Sequence, residues 1–211
     1  MTPPSCRLFV ILARDVPKAV ILRRGPSRWF HVILWDMAGD LFTPGAWLHG
    51  RIYEEKCDLS PDGQLFVYFA YKTNRIGEST YAAFTAVSRP PWLRALVMWP
   101  QDDTYGGGGR FPADRILHAR PLVSHECSYP APLPGLKLKP GTWDVPATHA
   151  SSGEVAGSDW SGRDHRCRVI FTVGGKLFRR DQGVETLLAD FTDLKPDPQP
   201  PPAWANDWPG P

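Results

Sequence analysis

The chain has 211 residues, a mass of 23.6 kDa and a net charge of +2, with 23 prolines, 19 glycines and 9 tryptophans. That much proline excludes a mainly helical fold, because each interior proline costs a helix about 3 kcal/mol, and 42% apolar residues exclude a disordered chain. The balance of 24 basic against 22 acidic residues gives no overall pull toward nucleic acid or an anionic membrane.

From the N-terminus, the first apolar run is Leu8 to Ala13. It is shorter than the roughly 7–15 residues of a secretory core and far shorter than the roughly 20 of a membrane span. A soluble, cytoplasmic chain is the expectation. Lys18 to Arg24 and Arg28 to Trp35 then flank Gly25-Pro26-Ser27, which reads as a hairpin. Met37 to Asp40 makes the next turn, and Ala46 to Tyr53 another strand. Ser60-Pro61-Asp62-Gly63 has turn chemistry at each position. Leu65 to Tyr71 after it is apolar on both faces, so it must be covered on both sides. Thr80 to Val87 and Leu93 to Trp99 extend the strand series. Arg166 to Val173 and Lys176 to Arg180 flank Gly174-Gly175, a two-residue turn that needs left-handed backbone at both positions. Pro112 to Arg120 and Val184 to Asp190 read as two short helices. The count is about nine or ten strands.

The expected fold is therefore all-β and mainly antiparallel, a propeller-like array of small sheets or else a two-sheet sandwich or barrel, with minor short helices. One β-rich domain spans 1–194, with an irregular proline- and glycine-rich excursion at about 128–159. Residues 195–211 form a Pro/Trp-rich extended tail. The four cysteines, with no C-x-x-C pair, read as reduced thiols.

Three segments share a turn followed by a Leu-Phe strand: Asp40-Leu41-Phe42, Asp62-Gly63-Gln64-Leu65-Phe66 and Gly175-Lys176-Leu177-Phe178. The phrase Leu59-Ser60-Pro61-Asp62-Gly63-Gln64-Leu65-Phe66 resembles the blade hairpins of WD40-like and TolB-type β-propellers. Trp35-Asp36 and Trp143-Asp144 resemble the WD dipeptide. The resemblance implies four-stranded blades; it also remains open that the phrase is simply a good hairpin. The blocks GRIYEEKCDLSPDG, SRPPW and GGGGRF resemble uncharacterised bacterial proteins, which implies no activity.

The most unusual stretch is Ser88 to Phe111. It places Arg89, Trp92, Trp99, Asp103 and Tyr105 beside Gly106, Gly107, Gly108, Gly109 and Arg110. Glycine runs occur where backbone approaches something closely, and stiff flanks with aromatics and acids suit a ligand pocket. If the protein is an enzyme, Asp102 or Asp103 is its acid/base beside Arg89. The alternative for the glycines is a tight crossing between strands. His118, His125 and Cys127 form the densest set of metal-ligating types, at no standard zinc spacing. Cys57 beside Lys56 has the neighbour that lowers a thiol pKa. No cofactor fingerprint is present, so none is expected.

Three functional readings follow. The first is a non-catalytic cytoplasmic binding or scaffold module, recognising a protein or small ligand through the aromatic, Gly-rich loop. The second is a hydrolytic enzyme using the aspartates. The third is a single-stranded nucleic-acid binder, using Arg23-Arg24-Arg28 with Trp29, Arg163-Arg166-Arg168 and Arg179-Arg180.

Overall fold

The computed structural model describes residues 6–76, 79–101, 103–119, 134–140 and 151–209. The protein is all-β, with its strands in four small, mostly antiparallel sheets, none closed into a barrel. The first sheet is a meander of β1 (Arg7–Leu12), β2 (Lys18–Arg24), β3 (Trp29–Asp36) and β4 (Leu41–His49). The second runs β5 (Arg51–Ile52), β7 (Phe66–Ile76), β8 (Ser79–Ser88) and β9 (Val97–Gln101), and β6 (Asp58–Leu59) also pairs with β7. The third holds β10 (Gly109–Ala113), β11 (Ile116–Ala119) and β12 (Lys137–Pro140), with β11 and β12 parallel. The fourth is a meander of β13 (Trp160–Arg163), β14 (Val169–Val173), β15 (Lys176–Asp181) and β16 (Val184–Asp190).

Side-chain alternation sets how these sheets stack. In the first sheet Val10, Ile21 and Trp35 point one way, into a core shared with Trp160, Ile170 and Leu177 of the fourth. Their neighbours Ile11, Leu22 and Phe30 point the other way, into a core shared with Phe66, Tyr68 and Phe84 of the second. In the second sheet Val67 and Val87 turn from that core to a third one, with Phe111 and Leu117. The packing order is therefore fourth, first, second, third. The central part of β2 and the first part of β7, Phe66 to Ala70, read as continuous apolar runs because there the sheets are covered on both faces. Each fully buried Leu, Ile, Val or Phe in these layers contributes about 1.5–3 kcal/mol.

Polar contacts reinforce the join of the first and fourth sheets. Arg179 grips Asp40 with two hydrogen bonds of 2.8 and 2.7 Å, and Trp35 Nε1 donates to the same carboxylate. Asp164, paired with Arg168, stands 3.7 Å from the Arg179 guanidinium. Arg23, wholly buried, donates to the carbonyls of Gly25, Phe191 and Thr192.

The hairpins follow the turn chemistry. Gly174 (φ 57) and Gly175 (φ 87) both take the left-handed backbone their turn demands. The 60–65 turn closes through Ser60 and Asp62, and the Asp62 N–H donates to Asp114 of the third sheet. The three Leu-Phe segments all sit at such hairpins.

The structure corrects several expectations. Sixteen strands are present among the described residues, because strands as short as β5 and β6 carry no readable period. Val184 to Asp190 is an edge strand: Gln182 (φ 47) and Gly183 (φ 83) turn the chain back so that it pairs with β15. Pro112 to Ala119 runs through two strands around the Asp114-Arg115 turn, with a register shift between Arg110 and Ala113 beside Pro112, and Arg120 lies outside the described residues. The only helical segments among the described residues are 3₁₀ turns at Glu54–Lys56 and Ala203–Asn206. The strand expected over Leu93 to Trp99 begins at Val97. Within the 128–159 excursion, Lys137–Pro140 forms β12, while 128–133 and 141–150, including Trp143-Asp144, lie outside the described residues.

Residues 195–209 strap across the second and third sheets. Arg89 Nη1 donates to Trp204 O at 2.9 Å, and its guanidinium sits over the Trp204 ring. Arg94 donates to Asn206, Arg115 lies over Trp208, and Trp208 packs on the core between these two sheets.

Candidate functional site

The residues expected to form a site at 89–110 are dispersed. Arg89 holds the C-terminal strap. Trp99 is core, and Trp92 is half-buried. The Asp103 carboxylate accepts the N–H groups of Tyr105 and Gly106, closing an exposed turn. Tyr105 is 86% exposed. Asp102, His125 and Cys127 lie outside the described residues. His118 is half-buried on β11, and no group of three or more metal-ligating side chains occurs among the described residues.

The glycine run answers a packing need. A Cβ on Gly107 (φ 78) would stand 2.2 Å from the Phe69 ring, and one on Gly108 (φ 80) would stand 2.3 Å from Lys56 O. One on Gly109 would meet Leu117 at 2.8 Å. The loop is pinned by the Gly108 N–H on the Thr85 hydroxyl. The Lys56 ammonium donates to the carbonyls of Thr104, Tyr105 and Gly106 at 2.7, 2.9 and 2.7 Å. It also lies 4.8 Å from the Phe69 ring centroid. Lys56 is thus a structural clasp and does not activate Cys57. That thiol is wholly buried, and burial pushes its pKa up.

One expected residue, Arg110, does line a cleft. The cleft has a volume of about 780 Å³ and is lined mainly by the first and second sheets, with single charged residues from the third sheet and the lead into the fourth. Strands β1 and β2 contribute Arg7, Phe9, Leu22 and Arg24. The second sheet side contributes Arg51, Tyr53, Glu54 and Lys56. Arg110 enters from the third sheet, and Asp159 from the lead into β13.

Strand register places these groups. Arg7 pairs with Arg24, and Phe9 pairs with Leu22, across β1 and β2. Residues two apart on a strand share a face, so one surface carries two arginines and then two apolar side chains. The Arg7 side chain is 66% exposed and Leu22 is 1% exposed, so the cleft runs from a cationic mouth to an apolar floor. Arg23 points to the opposite face, into the join with the fourth sheet.

The charges around the cleft are unequally compensated. Arg7 stands 3.6 Å from Asp159, and Arg51 stands 3.6 Å from Glu54. Arg110 is buried and donates to the carbonyls of Cys57, Gly109 and Glu55. Burial raises the Glu54 carboxyl pKa, and the nearby Arg51 and Arg24 only partly oppose this. Arg24 makes no ion pair and no side-chain hydrogen bond among the described residues.

The other basic clusters are largely engaged within the fold. Arg23 and Arg179 are buried, Arg180 pairs with Glu185, Arg163 with Glu154, and Arg168 with Asp164. Cys6, Cys57 and Cys167 are free thiols. Sequence reasoning missed Arg7, Arg24 and Arg51 as partners in one site. The available signal was alternation across the first hairpin: Arg23 and Arg24 must face opposite ways, and each must find a different environment.

Comparison with known protein families, curated proteins and solved structures finds no match. Among the described residues, no helix is long and apolar enough to cross a membrane.

Proposed function

We propose that this protein is a non-catalytic binding module and that its recognition site is the cleft between the first and second sheets. The observation that carries this reading is convergence: all four sheets or their leads supply side chains to one half-open cleft of about 780 Å³. Leu8, Phe9, Leu22 and Tyr53 lie there among mostly charged side chains, so the cleft is more polar than most small-ligand sites and suits a charged ligand. A propeller-like description of the stacked sheets, and the resemblance of Leu59 to Phe66 to blade hairpins, are part of the same proposal. So are a cytoplasmic location and a scaffold role for the exposed loops. The reading is tested by passing the small-molecule fraction of a cell extract over immobilised chain. Retention of a defined compound by the wild type, lost in Arg51→Glu, supports it. Equal retention by both, or none by either, removes it.

A second reading, hydrolysis, moves from Asp103 to Glu54. Its support is that burial raises the Glu54 carboxyl pKa beside Arg51, as a general acid requires. Turnover of an ester, phosphoester or glycoside panel that vanishes in Glu54→Gln, with melting temperature unchanged, would favour it over binding alone.

A further inference from the structure

We propose that the cleft takes an organic anion: a carboxylate, sulfonate or phosphate group held by Arg24 and Arg7, on an aromatic or aliphatic body that lies against Phe9, Leu22 and Tyr53. This inference rests on the binding-module reading and names its ligand class.

Three observations carry it. The first is the register. Arg7 and Arg24 are directly opposed across β1 and β2, and like charges in that position are unfavourable. An anion between them reverses the sign of that interaction. The second is the unequal compensation. Five cationic side chains line the cleft against three carboxylates. Asp159 meets Arg7, Glu54 meets Arg51, backbone carbonyls hold Lys56, and Arg110 has backbone carbonyls together with the nearby Asp58 and Glu55 carboxylates. Among the described residues, Arg24 alone of the five has neither an ion pair nor a side-chain hydrogen bond. A planar guanidinium in a half-enclosed site matches a carboxylate or phosphate with two parallel hydrogen bonds, in an environment that strengthens them. The third is the depth gradient. Phe9 and Leu22 lie one step further along the same strand faces, so a ligand with its charge at the arginines places its body on apolar surface.

The test uses two probes with the same rings, anilinonaphthalene sulfonate and uncharged phenylnaphthylamine, titrated into the full chain with fluorescence detection. The expected result is one site per chain, with the sulfonate bound at least about tenfold tighter than the uncharged probe, a preference that weakens with salt. Arg24→Gln should lower sulfonate affinity by about tenfold or more and leave the uncharged probe unchanged, and Arg24→Lys should recover part of the loss. A melting temperature that is not lowered in Arg24→Gln shows that the loss is local. Equal binding of the two probes, no binding of either, or an unaltered sulfonate affinity in Arg24→Gln overturns the proposal. If an extract compound is still retained through the cleft, the binding-module reading survives that failure. If retention is absent as well, both fall.

Discussion

The glycine-rich loop at 103–109 and the cleft beside it share a border at Lys56 and Arg110, yet they show opposite relations between composition and role. The loop is compositionally extreme, and its residues are engaged by the fold: Phe69 fills the space where a Gly107 side chain would go, and Lys56 clasps three successive carbonyls. The cleft is compositionally ordinary, yet it holds a cation, Arg24, that the fold leaves without an ion pair among the described residues. A run of glycines marks where backbone must fit closely. A site is marked by polar groups that the fold assembles and does not itself satisfy.

Alanine in the loop breaks this comparison most directly. Gly107→Ala and Gly108→Ala each combine a positive φ with a Cβ inside the contact distance of Phe69 or the Lys56 backbone. Each should cost about 3–5 kcal/mol, seen as a lower urea midpoint. A Cβ on Gly106 would make only an ordinary contact, 3.8 Å from the Asp103 carboxylate, and its φ is not positive, so Gly106→Ala should stay within about 0.5 kcal/mol. If all three are tolerated alike, the loop is not a packing element.

Arg23 and His31 sharpen the contrast on the far side of the first sheet. His31 pairs with Arg23 across β2 and β3 and stacks on Trp47 at 4.2 Å. It is 3% exposed, and its ring nitrogens make no well-formed hydrogen bond, only a weak approach to the Gly45 backbone that slightly opposes the shift. Burial, and then the Arg23 charge, lower its pKa from 6.5 to about 4. The unfolded chain therefore binds this proton first as pH falls. Stability from this group is complete above pH 6.5 and is lost between 6.5 and about 4, a loss of about 3 kcal/mol. The raised Glu54 pKa acts in the opposite sense, so the measurement is a difference. Urea unfolding at neutral pH and near pH 4.5 should show a larger drop for wild type than for His31→Phe, which keeps the stack on Trp47. Equal drops would show that His31 does not titrate as a buried group.

Much of the fold was legible because its signals are local. Gly174-Gly175 and Ser60 to Gly63 specify turns through residues adjacent in the chain. The two-sided apolar run at Leu65 to Tyr71 implied cover on both faces, which holds from Leu65 to Ala70, while Tyr71 is exposed. Val184 to Asp190 read as a helix because its Leu and Glu suit one; pairing with β15 overrode that preference. The cleft was not legible because its residues meet only through register. Arg7 and Arg24 face one another once the β1–β2 hairpin is formed. Within a single basic cluster, Arg23 turned out to be a buried tie to Phe191 and Thr192, while Arg24 faces the cleft. Nothing in the order of letters distinguishes them; strand alternation does.

A smaller effect separates turn chemistry from site chemistry. Asp103→Ala removes two hydrogen bonds within an exposed turn, so it should cost about 0.5–1.5 kcal/mol and leave probe binding in the cleft unchanged. A change in probe affinity without a change in stability would return Asp103 to the site.

The smallest expected change has the opposite sign. Arg24→Gln removes one member of a directly opposed like-charge pair and breaks no ion pair among the described residues. In the absence of ligand it should raise stability by about 0.2–1 kcal/mol, most visibly at low ionic strength. A native arginine whose replacement stabilises the free protein is what a binding residue looks like, because function retains it against a stability cost. Arg23→Gln, one residue earlier, should do the reverse, since it strands the buried Gly25 carbonyl and the half-buried carbonyls of Phe191 and Thr192. Urea midpoints of the two variants, at low and high salt, should therefore move in opposite directions, and only the Arg24→Gln shift should shrink as salt is added. If Arg24→Gln also destabilises, then Arg24 is a structural residue, and the distinction drawn between it and Arg23 disappears.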